Sequence, residues 1–308
     1  MELYLILYLI IILFIYYLYN LYDKAHFLIE NFEDKYGQNE VYKDIYDKEF
    51  VDFYDIIYKK DDYEDEIPIY IEKELKNKEN PSILVVGCGR GSILKRIKKK
   101  YKNTHGLDKS EQMLRKCHEN HPYIKTIKGD IEKPKLFEDN TYDLIIFDEF
   151  TLNYNNKESI NNIINNIKPY LTNDGVLFVP MIEYKYLQPR PRYYSTTYYD
   201  SKKNIHGYTY VNNVAHDCYY IKNETEIDGF NYNYFDKIVL KNNNSRIKKI
   251  PLYIPEKEEL YELFLKKGYS IKKIYDYDDF SKIFYEVCIF NKSPTTLDVS
   301  QNDNIINK

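Results

Sequence analysis

Apolar positions along the chain fall into three regimes. From Leu3 to Tyr19 they are unbroken: LYLILYLIIILFIYYLY holds no charged residue. Extended to Tyr22, twenty helical positions span roughly 30 Å, the thickness of a hydrocarbon core. The run is apolar on every side, so it is not an amphipathic surface helix, and Tyr16, Tyr17, Tyr19 and Tyr22 gather where aromatic rings favour a membrane interface. Glu2 precedes it, the run is long, and no small-residue cleavage site follows, which weighs against a removable leader. Lys24, Lys35 and Lys43 follow the run and no cation precedes it, so the positive-inside bias places the remainder in the cytosol. The run therefore predicts a single-pass transmembrane anchor over residues 1–22, followed by a linker over 23–40.

The second regime predicts alternating elements. Val41–Lys60 and Ile67–Lys76 have helical spacing, separated by the acidic stretch Asp61–Glu66. Strand-like runs at Ser82–Val86, Asn103–Leu107, Ile124–Lys128, Tyr142–Phe147 and Val176–Pro180 alternate with helical ones at Ser92–Lys100, Ser110–Glu119 and Glu158–Tyr170. Such alternation implies a mostly parallel sheet with helices on both faces. In the third regime, residues 181–250, the rhythm gives way to a Tyr- and Asn-rich stretch. Hairpins are expected around His206–Lys222 and Phe230–Ile250, with turns at Asn212-Asn213 and Asn242–Asn244. Glu256–Lys267 then reads as a helix closed by Gly268, with strands at Tyr269–Tyr275 and Phe284–Asn291. Residues 293–308 are polar and aperiodic, the pattern of a disordered tail.

Composition adds exclusions. The 308 residues carry 44 Lys+Arg against 48 Asp+Glu, a net charge of −4, so the basic footprint of a nucleic-acid binder is missing. The four cysteines, Cys88, Cys117, Cys218 and Cys288, include no CxxC pair and fit free thiols in a reducing compartment. With no Trp and 36 Tyr, the chain bears the mark of AT-rich coding, so the Tyr count carries little functional weight. Cys117, His118 and His121 lack a fourth partner for zinc, and no metal is expected. Lys98, Lys99 and Lys100 read as the solvated end of a helix, and Arg190 and Arg192 as a solvated loop.

Three of only ten glycines fall within five residues, in ILVVGCGRGS, at Gly87, Gly89 and Gly91. Between a strand and a helix, such glycines permit a tight turn and close approach of backbone to a ligand. The Lys-Ser/Thr of a phosphate-binding P-loop is absent. Asp108 closes the next strand about 20 residues on, where a carboxylate can accept hydrogen bonds from both hydroxyls of a ribose.

The segment GLDKSEQML resembles the G-x-D-x-S-x-x-M-L run of class I S-adenosylmethionine-dependent methyltransferases. KGDIEK, NTYDLIIFDEF and IKPYLTNDGVLFVP resemble that family's following strand segments. The resemblance is dense over residues 83–180 and implies a methyltransferase domain over 41–292 on a Rossmann-like seven-stranded sheet. It implies an antiparallel insertion after the fifth strand, with 181–250 lying over the acceptor. It further implies that the backbone of Gly87, Cys88 and Gly89, with Gly91, faces the methionine part of S-adenosyl-L-methionine. Asp108 would hold the ribose; Lys109 and Met113 would border the adenine, and Asp130 and Ile131 would meet its edge. Asp148 to Thr151, Phe150 among them, would floor the pocket beside the reactive methyl. Val85 stands where the family usually has an acidic residue, a role that Asp148 or Glu149 could take.

The resemblance implies methyl transfer to a small acceptor bearing an amine, carboxylate or hydroxyl. The absence of an Asn/Asp-Pro-Pro-aromatic motif after the fourth strand argues against nucleic-acid bases as acceptors. Glu149, Tyr154, His206 and His216 are possible bases, and none is assigned. The alternatives are a lipid or isoprenoid headgroup acceptor, a catalytically idle binding module at a membrane, and an aminopropyl transferase on the same fold.

Overall fold

The computed structural model describes residues 11–17, 19, 46–48, 51, 63–148, 151–181, 204–205, 208–209, 214–240, 245–276 and 286–292. The linker, most of the helix expected over 41–60, and the tail lie outside them. The chain divides into two compact units, Met1–Tyr42 and Lys43–Lys308. In the first, residues 11–17 are helical. Among the described residues no helix is long and apolar enough to cross a membrane. Most of the apolar run at 3–22 falls outside them.

In the second unit a seven-stranded sheet forms in the order β11-β12-β5-β4-β1-β2-β3. Its strands are β1 (Ile83–Val86), β2 (Thr104–Asp108), β3 (Lys125–Lys128), β4 (Tyr142–Phe147), β5 (Leu171–Met181), β11 (Tyr269–Asp276) and β12 (Glu286–Lys292). The first five pair in parallel, while β12 runs antiparallel to both β5 and β11. This is a Rossmann-like arrangement with one reversed strand near an edge.

Strand alternation in β1 assigns each face its helices. Ile83 and Val85 join a core with Ile67 and Ile71 of α1 (Tyr63–Glu74), Ile93 and Ile97 of α2 (Ser92–Ile97), and Leu114 of α3 (Glu111–Asn120). Leu84 and Val86 face the other way, toward α4 (Lys157–Ile167) and α5 (Lys257–Lys266). The sequence of α4, KESINNIINNI, shows why it packs as it does. Ile160, Ile163, Ile164 and Ile167 recur at i, i+3, i+4 and i+7 and are fully buried, while the intervening Asn residues occupy the other face. Its first turn is capped by the Asn156 side chain, which accepts from the Ser159 N–H at 2.8 Å. At the end of α5, Gly268 takes φ 76°, the left-handed conformation that ends a helix.

The stretch after β5 meets expectation in part: the strands expected over Phe230–Ile250 pair antiparallel. Its principal structure is a three-stranded antiparallel sheet of β8 (Val214–Ile227), β9 (Phe230–Leu240) and β10 (Ser245–Leu252); β6 (Asn204–Ile205) and β7 (Tyr208–Thr209) form a separate short hairpin. Among the described residues of the hairpin expected over His206–Lys222, Tyr208–Thr209 pair with Asn204–Ile205 instead. Residues 214–222 belong to one long strand paired along its length with β9. The turn is Asp228-Gly229, with φ 53° and 77°; two successive positive φ values match the right-handed twist of a hairpin. The expected turn at Asn212-Asn213 lies outside the described residues.

The inner face of this sheet is not free-standing. Tyr232, Tyr234, Ile250 and Leu252 are buried in the same core as α1 and α2. Asn153, just beyond β4, fixes the return: its side chain donates to the Tyr253 carbonyl at 2.9 Å, and its carbonyl accepts from the Tyr253 N–H at 2.9 Å. The insertion is thereby held against the segment that leaves β4, beside the carboxyl edge of the sheet.

Candidate active site at the carboxyl edge of the sheet

Parallel strands end together, so the loops after β1, β2, β3 and β4 converge on one edge, the usual ligand edge of open α/β sheets. After β1 the chain turns through Gly87, Gly89 and Gly91, all with positive φ (72°, 49° and 85°). The three glycines do different work. A Cβ on Gly87 would collide with the Thr151 side chain, and one on Gly91 would stand 2.5 Å from the Cys117 sulfur. Gly91 therefore serves helix packing and starts α2, rather than facing a ligand. A Cβ on Gly89 would meet only the Gly87 carbonyl oxygen, at 4.0 Å. Gly89 is where the backbone borders open space.

The amides of the loop are already engaged. The N–H groups of Gly87 and Cys88 both donate to the Leu107 carbonyl, at 2.8 and 3.1 Å, and that of Gly91 donates to the Cys88 carbonyl at 2.8 Å. The Gly89 N–H donates to the Asp108 carboxylate at 2.8 Å. With these donors used inside the protein, the loop is not a phosphate cradle; what it offers a ligand is close approach. Cys88 itself turns inward, its sulfur lying 2.6 Å from where a Cβ on Gly106 would be. Burial first, then the charges of Asp108, Cys117 and Asp148, push its thiol well above the ordinary value, so it is neutral and inert.

Asp108 is the hub. While Oδ2 accepts from Gly89, Oδ1 accepts from the Ser110 N–H at 2.8 Å. Each carboxylate oxygen retains a further lone pair for ligand hydroxyls. Burial raises the carboxyl above the usual Asp value, and the two N–H bonds and the Lys109 charge oppose that rise. Ser110 caps α3 by accepting from the Met113 N–H at 3.3 Å, and its hydroxyl donates to the Tyr46 carbonyl at 3.4 Å. The Tyr46 ring meets that of Tyr154 edge-on, centroids 6.4 Å apart. Tyr46 thus spans from the Asp108 loop to the segment beyond β4. Its neighbour Asp47 lies 3.9 Å from the ammonium of Lys248, a buried cation on the insertion sheet.

The remaining expected residues divide. Lys109 is exposed at the rim, whereas Met113 is buried in the base of α3. After β3, Asp130 Oδ1 accepts from the Glu132 N–H at 3.1 Å, and Ile131 is buried in the core of α4 and α5. Asp148 follows β4, its N–H bonded to the Val86 carbonyl at 3.0 Å, which sets it beside the glycine turn. Val85 is fully buried in the sheet core. Glu149, Phe150 and His206 lie outside the described residues, as does the side chain of His216. Thr151, expected on the pocket floor, packs over Gly87, whereas Asn153 acquires its place only from a long-range contact with Tyr253.

Residues 83–175 match the family described as a methyltransferase domain. No curated protein matches the sequence. Among solved structures, the CcbJ methyltransferase from Streptomyces caelestis is 15% identical, with a TM-score of 0.62 over 79% of this chain and 96% of that one. DesVI from Streptomyces venezuelae is 18% identical, with a TM-score of 0.58 over 80% and 100%. CalS10 from Micromonospora echinaspora, an amino pentose methyltransferase, is 15% identical, with a TM-score of 0.57 over 82% and 100%. At such identities the likeness is one of fold. The matched domain, on this fold, defines the class: the protein is an S-adenosylmethionine-dependent methyltransferase, and S-adenosylmethionine is its cofactor.

The different surroundings of the glycines make a prediction. Gly87→Ala, overlapping Thr151 and straining a positive φ, is expected to cost about 2–4 kcal/mol of stability. Gly89→Ala, which meets no protein side chain, should cost about 1 kcal/mol. Urea unfolding of both variants checks the order; equal losses would contradict it.

Proposed function

We propose that the protein transfers a methyl group to a small polar acceptor bearing an amine, hydroxyl or carboxylate, held between the carboxyl edge of the sheet and the 181–250 insertion. The observation that carries the reading is the corner made by Gly89 and Asp108, where backbone bordering open space meets a doubly anchored carboxylate. These residues fit the cofactor. Asp108 would accept from the ribose hydroxyls, Gly89 would lie against the methionine part, and Asp130 and Ile131 would meet the adenine edge. Lys109 and Met113 would border that base from the start of α3. Asp148, beside Gly87 and Cys88, would take the amino group in place of the acid that Val85 displaces.

S-adenosylmethionine, when bound, supplies a methyl on a sulfonium that is already a good leaving group. The protein's share of the chemistry is alignment and exclusion of water. Tyr46 and Tyr154, joined edge-on, support that role by bridging the ribose side to the segment after β4. An amine acceptor has to arrive unprotonated, whereas an oxygen acceptor needs a base. Asp148 and Tyr154 are the described groups in reach of such work. Solved structures of the same fold include an amino pentose methyltransferase, CalS10, which supports an amine on a small polar body as the first acceptor class to try.

The second reading is a lipid or isoprenoid headgroup as acceptor, favoured by the apolar run at residues 3–22. We read that run as a single-pass anchor with the catalytic domain in the cytoplasm.

Two tests follow from these readings. With methyl-labelled cofactor, label should pass to amine-bearing small molecules, and Asp148→Asn should lower turnover about tenfold or more through lost alignment. Saturable cofactor binding with no transfer to amine, hydroxyl, carboxylate or lipid pools would instead mark an idle binding module. For the anchor, the full chain should remain in membranes after alkaline extraction, and a chain lacking residues 1–22 should be released. Release of both would remove the anchor.

A further inference from the structure

Residues 95–102 read KRIKKKYK, six cations and no acid in eight positions, in a chain of net charge −4. The fold brings this run to the end of α2 and the entry to β2. That is the amino edge of the parallel strands, opposite the Gly89–Asp108 corner. Lys100 pairs with Glu72 at 2.9 Å, and Lys98 donates to the Lys102 carbonyl at 3.0 Å. Lys95, Lys99 and Lys102 are exposed and have no ionic partner among the described residues. β3 adds to the same charge: Lys125 stands in register with His105, next to β2's first residue. Burial, with Lys125 and Lys98 after it, holds the His105 imidazole below its ordinary value, so at neutral pH the ring adds no charge to this edge.

Apolar side chains lie among the cations, with Glu72 the one acid lining the groove beside them. A groove of about 510 Å³ opens between α1 and the end of α2, lined among others by Ile69, Lys73, Lys76 and Tyr101. Lys73 lies over the rings of Tyr70 and Tyr275, at 5.0 and 5.5 Å. Beyond residue 50, four large hydrophobic side chains are exposed among the described residues. Two of them, Ile69 (52%) on α1 and Tyr123 (57%) just before β3, lie toward this edge, whereas Ile127 stands in register with Leu107 nearer the other end of β3.

We propose that this amino edge is a docking surface for an anionic phospholipid membrane. Exposed lysines interspersed with Tyr and Ile match an interface in which cations meet lipid phosphates while rings and aliphatic groups enter the headgroup layer. Aliphatic Ile69 would gain nothing against a nucleic acid, whose bases reward aromatic stacking. Docking by this edge leaves the opposite, cofactor-binding edge uncovered. The inference stands on the charge and exposure of this edge and does not depend on the acceptor or on turnover.

The test is flotation of the full chain with vesicles of phosphatidylcholine, alone or mixed with phosphatidylserine, in the absence of cofactor. Any contribution from residues 3–22 is common to every arm. Phosphatidylserine should increase binding in a manner that weakens with salt. The triple variant Lys95→Gln, Lys99→Gln, Lys102→Gln, which removes exposed cations and no pairing, should lose roughly two orders of magnitude of that increase. Lys133→Gln with Lys135→Gln, beyond the other end of β3, should lose little. Equal binding of wild type and triple variant to phosphatidylserine vesicles would overturn the proposal. So would a patch-dependent preference for single-stranded oligonucleotides over those vesicles.

Discussion

The carboxylate of Asp108 is the constraint on which the site depends. Its two oxygens take the N–H of Gly89 from the loop after β1 and the N–H of Ser110 from the start of α3. Hydrogen bonds from N–H to an ionised carboxylate are among the stronger ones in a protein, and here two of them join three consecutive elements. Everything nearby follows from that join. Gly89 is held with its Cα toward open space, Ser110 is placed to cap α3, and its hydroxyl reaches the carbonyl of Tyr46. The backbone at Tyr46 is thereby tied to the same corner. The cost is a carboxyl group raised above its usual range by burial, sustained by the donors that anchor it.

This arrangement separates two uses of glycine that look identical in sequence. Gly87 and Gly91 are small because Thr151 and Cys117 press against them, whereas Gly89 is small where no side chain does. The loop's amides are spent on Leu107, Cys88 and Asp108, so the ligand it suits is not a polyphosphate. A cofactor whose charge is a sulfonium with an amino acid tail asks for proximity and carboxylates instead, and Asp108, Asp130 and Asp148 end three of the four adjacent strand loops.

What was legible in the sequence was local. The INNIINNI pattern of α4, the apolar run of β1 and the spacing from the glycines to Asp108 each report on a few neighbouring residues, and each appears where expected. The insertion was less legible. Tyr and Asn alternate there with no clean period, and the strand expected to end at Lys222 runs on to Ile227, turning at Asp228-Gly229. Long-range placement was not legible at all. Nothing near Asn153 announces its pairing with Tyr253, a hundred residues on, and nothing near Lys248 announces that it is buried against Asp47. Val85 reads as a lost acid in sequence; in the fold it is an ordinary, fully buried core residue.

Asp108 joins the loop to α3, and in the proposed site the same carboxylate holds the cofactor. Calorimetric titration of S-adenosylmethionine into the wild-type protein and Asp108→Ala tests it most directly, repeated from neutral to acid pH. Saturable binding to the wild type is expected, weakening as acid protonates a carboxyl raised above the usual Asp range. A loss of about tenfold to a hundredfold is expected in the variant, the worth of hydrogen bonds to a charged group. A folded Asp108→Ala protein that binds the cofactor as tightly as the wild type would contradict it.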